Sequence, residues 1–219
     1  MKTTELVFII DRSGSMSGLE RDTVGGFNSL IRKQKEEEGE ALVSMVLFND
    51  ESKVVYDRAD ISDIEELGLS QYTPCGCTAL LDAVGGAIHH IGNVHKYARA
   101  EDRPEKTLFV ITTDGMENSS TRYTQEKVKA MIERQQERYG WEFLFLGANI
   151  DAAKSARDIG IREEQAVEYI CDDKGTGILY DTVNFAVSNI RAHGIIDGSW
   201  KDAIAKDTKA RKKNNLRRG

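Results

Sequence analysis

The chain has 219 residues, 40% hydrophobic and 30% charged, which is enough apolar material for the core of one large domain without disulfide support. Two prolines and the absence of any Ser/Gly-rich stretch or internal repeat argue against a dividing linker, so residues 1–198 read as one domain. Seven Lys or Arg against one Asp over 206–219 give that end +6 and leave −12 for residues 1–205 of a chain whose total is −6, which excludes an extended nucleic-acid-binding face on the acidic body and leaves only the basic tail for such contacts.

In chain order, the apolar run Leu6–Ile10 is too short for a signal-peptide core or a membrane span and ends at Asp11, so it reads as a strand in a cytoplasmic protein with no membrane segment. Val24, Phe27 and Ile31 mark a first helix, and Glu36, Glu37 and Glu38 a solvated patch at its end. Ala41–Phe48 reads as a strand, and Val54 to Tyr56 follows it after a short polar loop as an antiparallel hairpin partner at a sheet edge. Leu81, Val84, Ile88 and Ile91 line one face of a helix from about Thr78 to Tyr97.

Thr107–Ile111 is a further strand, followed by a weaker helix from Thr124 to Tyr139, strands at Phe143–Leu146 and Ala166–Ile170, and a long helix carrying Leu179, Val183, Val187 and Ile190. The runs LVFII and TLFVI do not alternate with polar residues, as parallel strands covered on both faces require. Strand and helix alternate throughout. That order predicts an α/β doubly wound, mostly parallel central sheet with one antiparallel edge strand, helices on both faces, and a flexible basic tail over 199–219.

Three cysteines, Cys75, Cys77 and Cys171, are an odd number that suits reduced thiols in a reducing compartment. Cys75-Gly76-Cys77 lacks the four-ligand set of a zinc site and reads as small residues in a turn. His89, His90, His95 and His193 fall on helical stretches as surface or boundary residues.

Three polar clusters stand where a doubly wound sheet binds ligands, beyond the carboxyl ends of strands. Asp11-Arg12-Ser13-Gly14-Ser15 follows the first strand, Thr78 precedes the second helix, and Thr113-Asp114-Gly115 ends the TLFVITT strand. Taken singly, each also suits a helix cap or a turn. Together they offer the carboxylates of Asp11 and Asp114 and the hydroxyls of Ser13, Ser15 and Thr78, an oxygen-only set suited to a hard cation, Mg2+ or Mn2+. Glu117, Asn118, Ser119 and Ser120 come next as a polar loop.

D-x-S-x-S after the first strand, a Thr opening a helix some sixty residues on, and T-D-G after a later strand resemble the metal-ion-dependent adhesion site of von Willebrand factor A domains, over roughly Glu5 to His193. The Cys-Gly-Cys before Thr78 departs from the glycine-rich run of many relatives and suggests a stiffer or redox-sensitive loop. The resemblance implies a Rossmann-like fold, metal ligation by Asp11, Ser13, Ser15, Thr78 and Asp114, and a protein partner that supplies an Asp or Glu to the metal. A non-enzymatic binding or adaptor module, of a bacterial or phage stand-alone type, is the leading expectation. Two alternatives stay open. One is a Mg2+-dependent phosphatase-like hydrolase, disfavoured because Ser13 stands where such enzymes use a second acid. The other is an accessory subunit of an AAA+ ATPase or of a nucleic-acid-binding assembly.

Overall fold

A computed structural model describes residues 3–148 and 150–216. Six strands and six α-helices follow in the order β1 (Thr3–Asp11), α1 (Glu20–Lys35), β2 (Glu40–Phe48), β3 (Ser52–Asp60), α2 (Leu80–Tyr97), β4 (Lys106–Thr113), α3 (Gln125–Tyr139), β5 (Glu142–Ala148), α4 (Ala152–Asp158), β6 (Ala166–Tyr169), α5 (Asp173–His193) and α6 (Asp202–Leu216), with short 3-10 turns between them.

The strands form one sheet in the order β3-β2-β1-β4-β5-β6, parallel throughout except for the antiparallel β2–β3 edge. After β1 the chain builds outward on one side through β2 and β3, then returns to start again on the other side with β4. The order therefore reverses between β1 and β4, where open α/β sheets place their ligands.

β1 lies in the middle and is buried from Thr4 to Asp11, which explains its unbroken apolar run. Leu6, Phe8 and Ile10 point into one core with Phe27 and Leu30 of α1 and Leu179 and Val183 of α5. Val7 and Ile9 point into a second core with Val84 and Ile88 of α2 and Val128 and Ile132 of α3. Each fully buried Phe, Leu or Ile in these layers contributes about 1.5–3 kcal/mol relative to exposure. α1 and α5 approach closely because residue 26 is glycine: a Cβ there would lie 2.1 Å from Tyr180 Cδ2.

Local signals set the helix ends. The Thr124 hydroxyl accepts from Lys127 N–H at the start of α3, and Gly140 closes it at φ 64° in the left-handed region. α5 begins on Asp172, whose carboxylate accepts from Gly175 N–H, and ends on Gly194 at φ 72°.

One expectation needs correction. Residues 199–216 are helical, not a flexible tail: Trp200, Ile204 and Thr208 are buried, and only 217–219 lie outside the described residues. Lys206, Lys209 and Lys213 are exposed while Ile204 and Thr208 are buried on the side of α6 that covers β6, a division that net charge conceals. Lys201 Nζ reaches Ala166 O at 3.0 Å and Thr208 Oγ1 reaches Glu168 O at 3.2 Å, so carbonyls on the outer edge of β6 are occupied. α4, built on Ala152 and Ala156, has too little apolar contrast to show a helical period.

His95 lies at the boundary, as expected, and it carries an ion pair that the sequence does not show. It pairs through Nε2 with Glu5 Oε2 at 2.7 Å, while Glu5 Oε1 accepts from Arg58 Nε at 2.8 Å. Glu5 is fully buried, and a buried carboxylate requires such partners. The antiparallel register shifts between Val43 and Met45, and Arg58 takes φ 49° with its N–H on Ser44 Oγ, an irregularity beside the ion pair.

Candidate metal centre

Asp11 is the last residue of β1 and fully buried. Its Oδ1 accepts from Ser13 N–H at 2.7 Å, which folds the next residues back over the strand end and starts the 3-10 turn Gly14–Met16. Its Oδ2 accepts from Thr113 Oγ1 at 2.6 Å, and Tyr72 Oη donates to its carbonyl at 2.5 Å. Asp114 follows β4, the neighbour of β1, and is also buried. Ser15 Oγ donates to Asp114 Oδ1 at 2.6 Å and lies 3.1 Å from Ser13 Oγ. The Ser15 hydroxyl thus joins the loop after β1 to the loop after β4, with Ser13 beside it.

Thr78, buried, enters from the third element. Its N–H donates to Asn118 Oδ1 at 2.9 Å, and Asn118 N–H returns a bond to Thr78 O at 3.1 Å. A Cβ on Gly115 would lie 3.1 Å from Thr78 Oγ1 and 3.9 Å from Ser15 Oγ, so both hydroxyls lie against the Gly115 backbone. All five residues proposed from the sequence therefore converge at the reversal point of the sheet.

Several supporting residues carried no assigned role in the sequence. Thr113 stood inside the T-D-G motif; its strand context places it beside Asp11, but nothing in the motif says that its hydroxyl binds that carboxylate. Glu117, expected in a solvated loop, accepts from Leu81 N–H at 2.8 Å at the start of α2 and from Ser120 N–H at 2.7 Å. Asp82 accepts from the N–H groups of Thr121, Arg122 and Tyr123. These bonds staple the loop after β4 to the start of α2 and hold Thr78 against Gly115.

The Cys75-Gly76-Cys77 turn is pinned on its other side. Asn49 Nδ2 donates to Cys75 O at 2.9 Å, Asp50 Oδ2 accepts from Cys77 N–H at 3.0 Å, and Gly76 O accepts from Gly14 N–H at 3.1 Å. Gly76 sits at φ 75°, and a Cβ there would lie 1.8 Å from Asp50 Oδ2. Bonds from Asn49, Asp50 and Gly14 thus hold the turn. Both thiols are free and exposed, but the Asp50 charge pushes the Cys77 thiol above its usual value, which disfavours a reactive thiolate.

Burial pushes the Asp11 carboxyl above its ordinary value against the hydrogen bonds from Thr113 and Ser13, and burial together with the Asp11 charge does the same to Asp114 against the bond from Ser15. Among the described residues no Lys or Arg forms an ion pair with either carboxylate. Nor do three or more His, Cys, Asp or Glu gather anywhere among them into a metal-binding group. The donors present are two carboxylates and three neutral hydroxyls, a set that fits a hard divalent cation and gives a soft one nothing it prefers.

No protein-family model and no curated protein matches the sequence. Solved structures do match. Proximal thread matrix protein 1 from the mussel byssus, in a form with a zinc-occupied MIDAS motif, aligns at 16% identity and a TM-score of 0.58 over 84% of this chain and 45% of that one. A von Willebrand factor type A protein from Catenulispora acidiphila aligns at 15% identity and 0.58 over 86% and 43%, and the ArnB paralog VWA2 from Sulfolobus acidocaldarius at 16% and 0.54 over 85% and 45%. The chain spans less than half the length of each of these proteins. At such identities the likeness concerns architecture, and it agrees with the sheet order and the strand-end site: this chain has the fold of von Willebrand factor A domains.

Proposed function

We propose that Asp11, Ser13, Ser15, Thr78 and Asp114 hold one divalent cation, Mg2+ or Mn2+, and that the bound cation accepts an acidic side chain of a partner protein. One observation carries the reading. Two buried carboxylates from adjacent strands are tied together through Ser15 and Ser13 with no basic side chain paired to them among the described residues. Two desolvated negative charges side by side are costly, and a cation offsets that cost where no Lys or Arg does. Three of the five donors are neutral, so the ion would keep net positive charge and attract a further anionic oxygen from outside.

The chemistry supplied by such an ion is electrostatic attraction for a carboxylate. Around it, the residues of this chain position and exclude. Thr113 and Ser13 orient Asp11, Glu117 and Asn118 hold the Thr78 loop, and Asn49 and Asp50 hold the turn opposite. Position 13 offers a hydroxyl where a phosphoryl-transfer enzyme would place an acid, so the reading is a binding module rather than a hydrolase.

Calorimetric titration with Mg2+ or Mn2+ tests the cation. The parent chain should bind one equivalent, and Asp11→Ala and Asp114→Ala should abolish binding while circular dichroism stays native. Undiminished binding by either variant would overturn the site. Affinity purification with Mg2+ and with EDTA tests the partner: a protein retained only with Mg2+ supports the reading, and one retained equally with EDTA counts against it.

A further inference from the structure

A second cavity lies at the opposite end of the sheet, between the later turns of α2 and α3 and the entries to β4 and β5. Its volume is about 550 Å3, within the range of small-molecule sites. Lys96, Arg103 and Arg134 line it together with His95, Tyr139 and Trp141, and no Asp or Glu is among its lining residues. In a chain with a net charge of −6, a cavity bordered only by basic and neutral side chains is a local reversal of sign.

The cations are available to a ligand. Lys96, Arg103 and Arg134 are all exposed, and none of them forms an ion pair among the described residues. Arg103 spends Nε and Nη2 on Ala98 O at the end of α2, at 3.2 and 3.1 Å, and that bond fixes its direction. Neighbouring Asp102 is engaged by Arg99 at 2.7 Å. α2 and α3 both end near this cavity, and each helix C-terminus carries roughly half a negative charge, which three full positive charges outweigh.

The cavity also has flat apolar surface. Trp141 stacks on Phe109 with centroids 5.3 Å apart and meets the His95 ring edge-on at 5.3 Å, so its orientation is locked from behind. Tyr139, half exposed, presents a ring at the rim, and Met131 and Pro104 complete the apolar lining. The edge of buried Trp141 and the half-exposed Tyr139 ring, beside cations that have no carboxylate partner although Lys96 also lies 5.0 Å over the Tyr97 ring, suit a ligand with a planar ring at one end and an anionic group at the other.

We propose that this cavity binds a small phosphorylated compound of the nucleoside phosphate class, with its ring on the Tyr139 and Trp141 side and its phosphate among Lys96, Arg103 and Arg134. The proposal is independent of the metal centre, which lies at the other end of the strands. α2 spans the two, opening beside Thr78 and ending beside Lys96.

Titration of the full chain with AMP in the presence of EDTA, followed by calorimetry and by tryptophan emission, tests it without involving the metal. AMP should bind saturably and at least about tenfold more tightly than adenosine, and binding should weaken with added salt. Lys96→Glu and Arg134→Glu, both at exposed helix positions, should each weaken AMP by about tenfold or more with the fold intact by circular dichroism. Equal affinity for AMP and adenosine would overturn the anionic half of the proposal, and inorganic phosphate binding as tightly as AMP would overturn the ring half. Absence of saturation by any nucleoside phosphate, unchanged affinity in both variants, or saturation by polyglutamate alone would overturn it altogether.

Discussion

Gly76→Ala probes the tightly held turn beside the candidate metal centre. Gly76 sits at φ 75°, where an L-residue pays about 1–2 kcal/mol. The new Cβ would also lie 1.8 Å from Asp50 Oδ2 and 3.0 Å from its Cγ, so the Asp50 side chain must leave. Its departure breaks the bond to Cys77 N–H, which at an exposed carboxylate is worth about 1 kcal/mol. The total is about 2–3 kcal/mol, or a fall in melting temperature of roughly 4–12 °C for a domain of this size. Urea denaturation gives the free energy directly, and Asp50→Ala separates the two contributions. With Asp50 truncated no clash remains, so Gly76→Ala should then cost only the backbone strain, about 1–2 kcal/mol. Gly25→Ala is the control: it lies in α1 with open space around its Cβ position and should stabilise by about 0.5–1 kcal/mol. Because Gly76 O accepts from Gly14 N–H between Ser13 and Ser15, the proposed cation binding should weaken alongside stability. A Gly76→Ala protein within 0.5 kcal/mol of the parent, on the scale of a neutral surface change, would refute the reasoning about this turn.

Gly26→Ala, one residue from that control, should destabilise by about 1–3 kcal/mol in the same denaturation, because its Cβ would enter the Tyr180 ring at 2.1 Å. Trp200→Ala should cost about 3–5 kcal/mol and loosen α6 from β6, with self-association rising in light scattering as the strand edge opens. Asp82 gives a pH signature. Burial pushes its carboxyl up, but the bonds from Thr121, Tyr123 and Arg122 prevail and hold it below the ordinary 3.8. A depressed folded-state value means stabilisation that is present above 3.8 and lost as pH falls through the folded value. The stability difference between the parent and Asp82→Asn should therefore be about 1–2 kcal/mol at neutral pH and shrink towards zero in strong acid; a difference independent of pH would contradict it.

The apolar runs Leu6–Ile10 and Thr107–Ile111 and the three-and-four spacing from Leu81 to Ile91 determined by themselves that this chain alternates strand and helix around a buried parallel sheet. Such patterns are local, and the burial of β1 on both faces is written into five consecutive residues. The placement of the five proposed donors at element ends was legible for the same reason, since each follows or precedes an element whose type can be read nearby. What α6 does could not be read locally. Trp200, Ile204 and Thr208 are too few among Lys and Arg to signal a packed helix, and their burial depends on β6 having no further strand beside it. Glu5, Arg58 and His95 are far apart in sequence and look like ordinary surface residues until the sheet brings them to one carboxylate. The bonds of Thr113, Glu117 and Asp82, and the basic cavity between α2 and α3, likewise depend on distances between separate elements. Periodicity reports which face of an element is buried, but only the packed structure decides which neighbour it meets there.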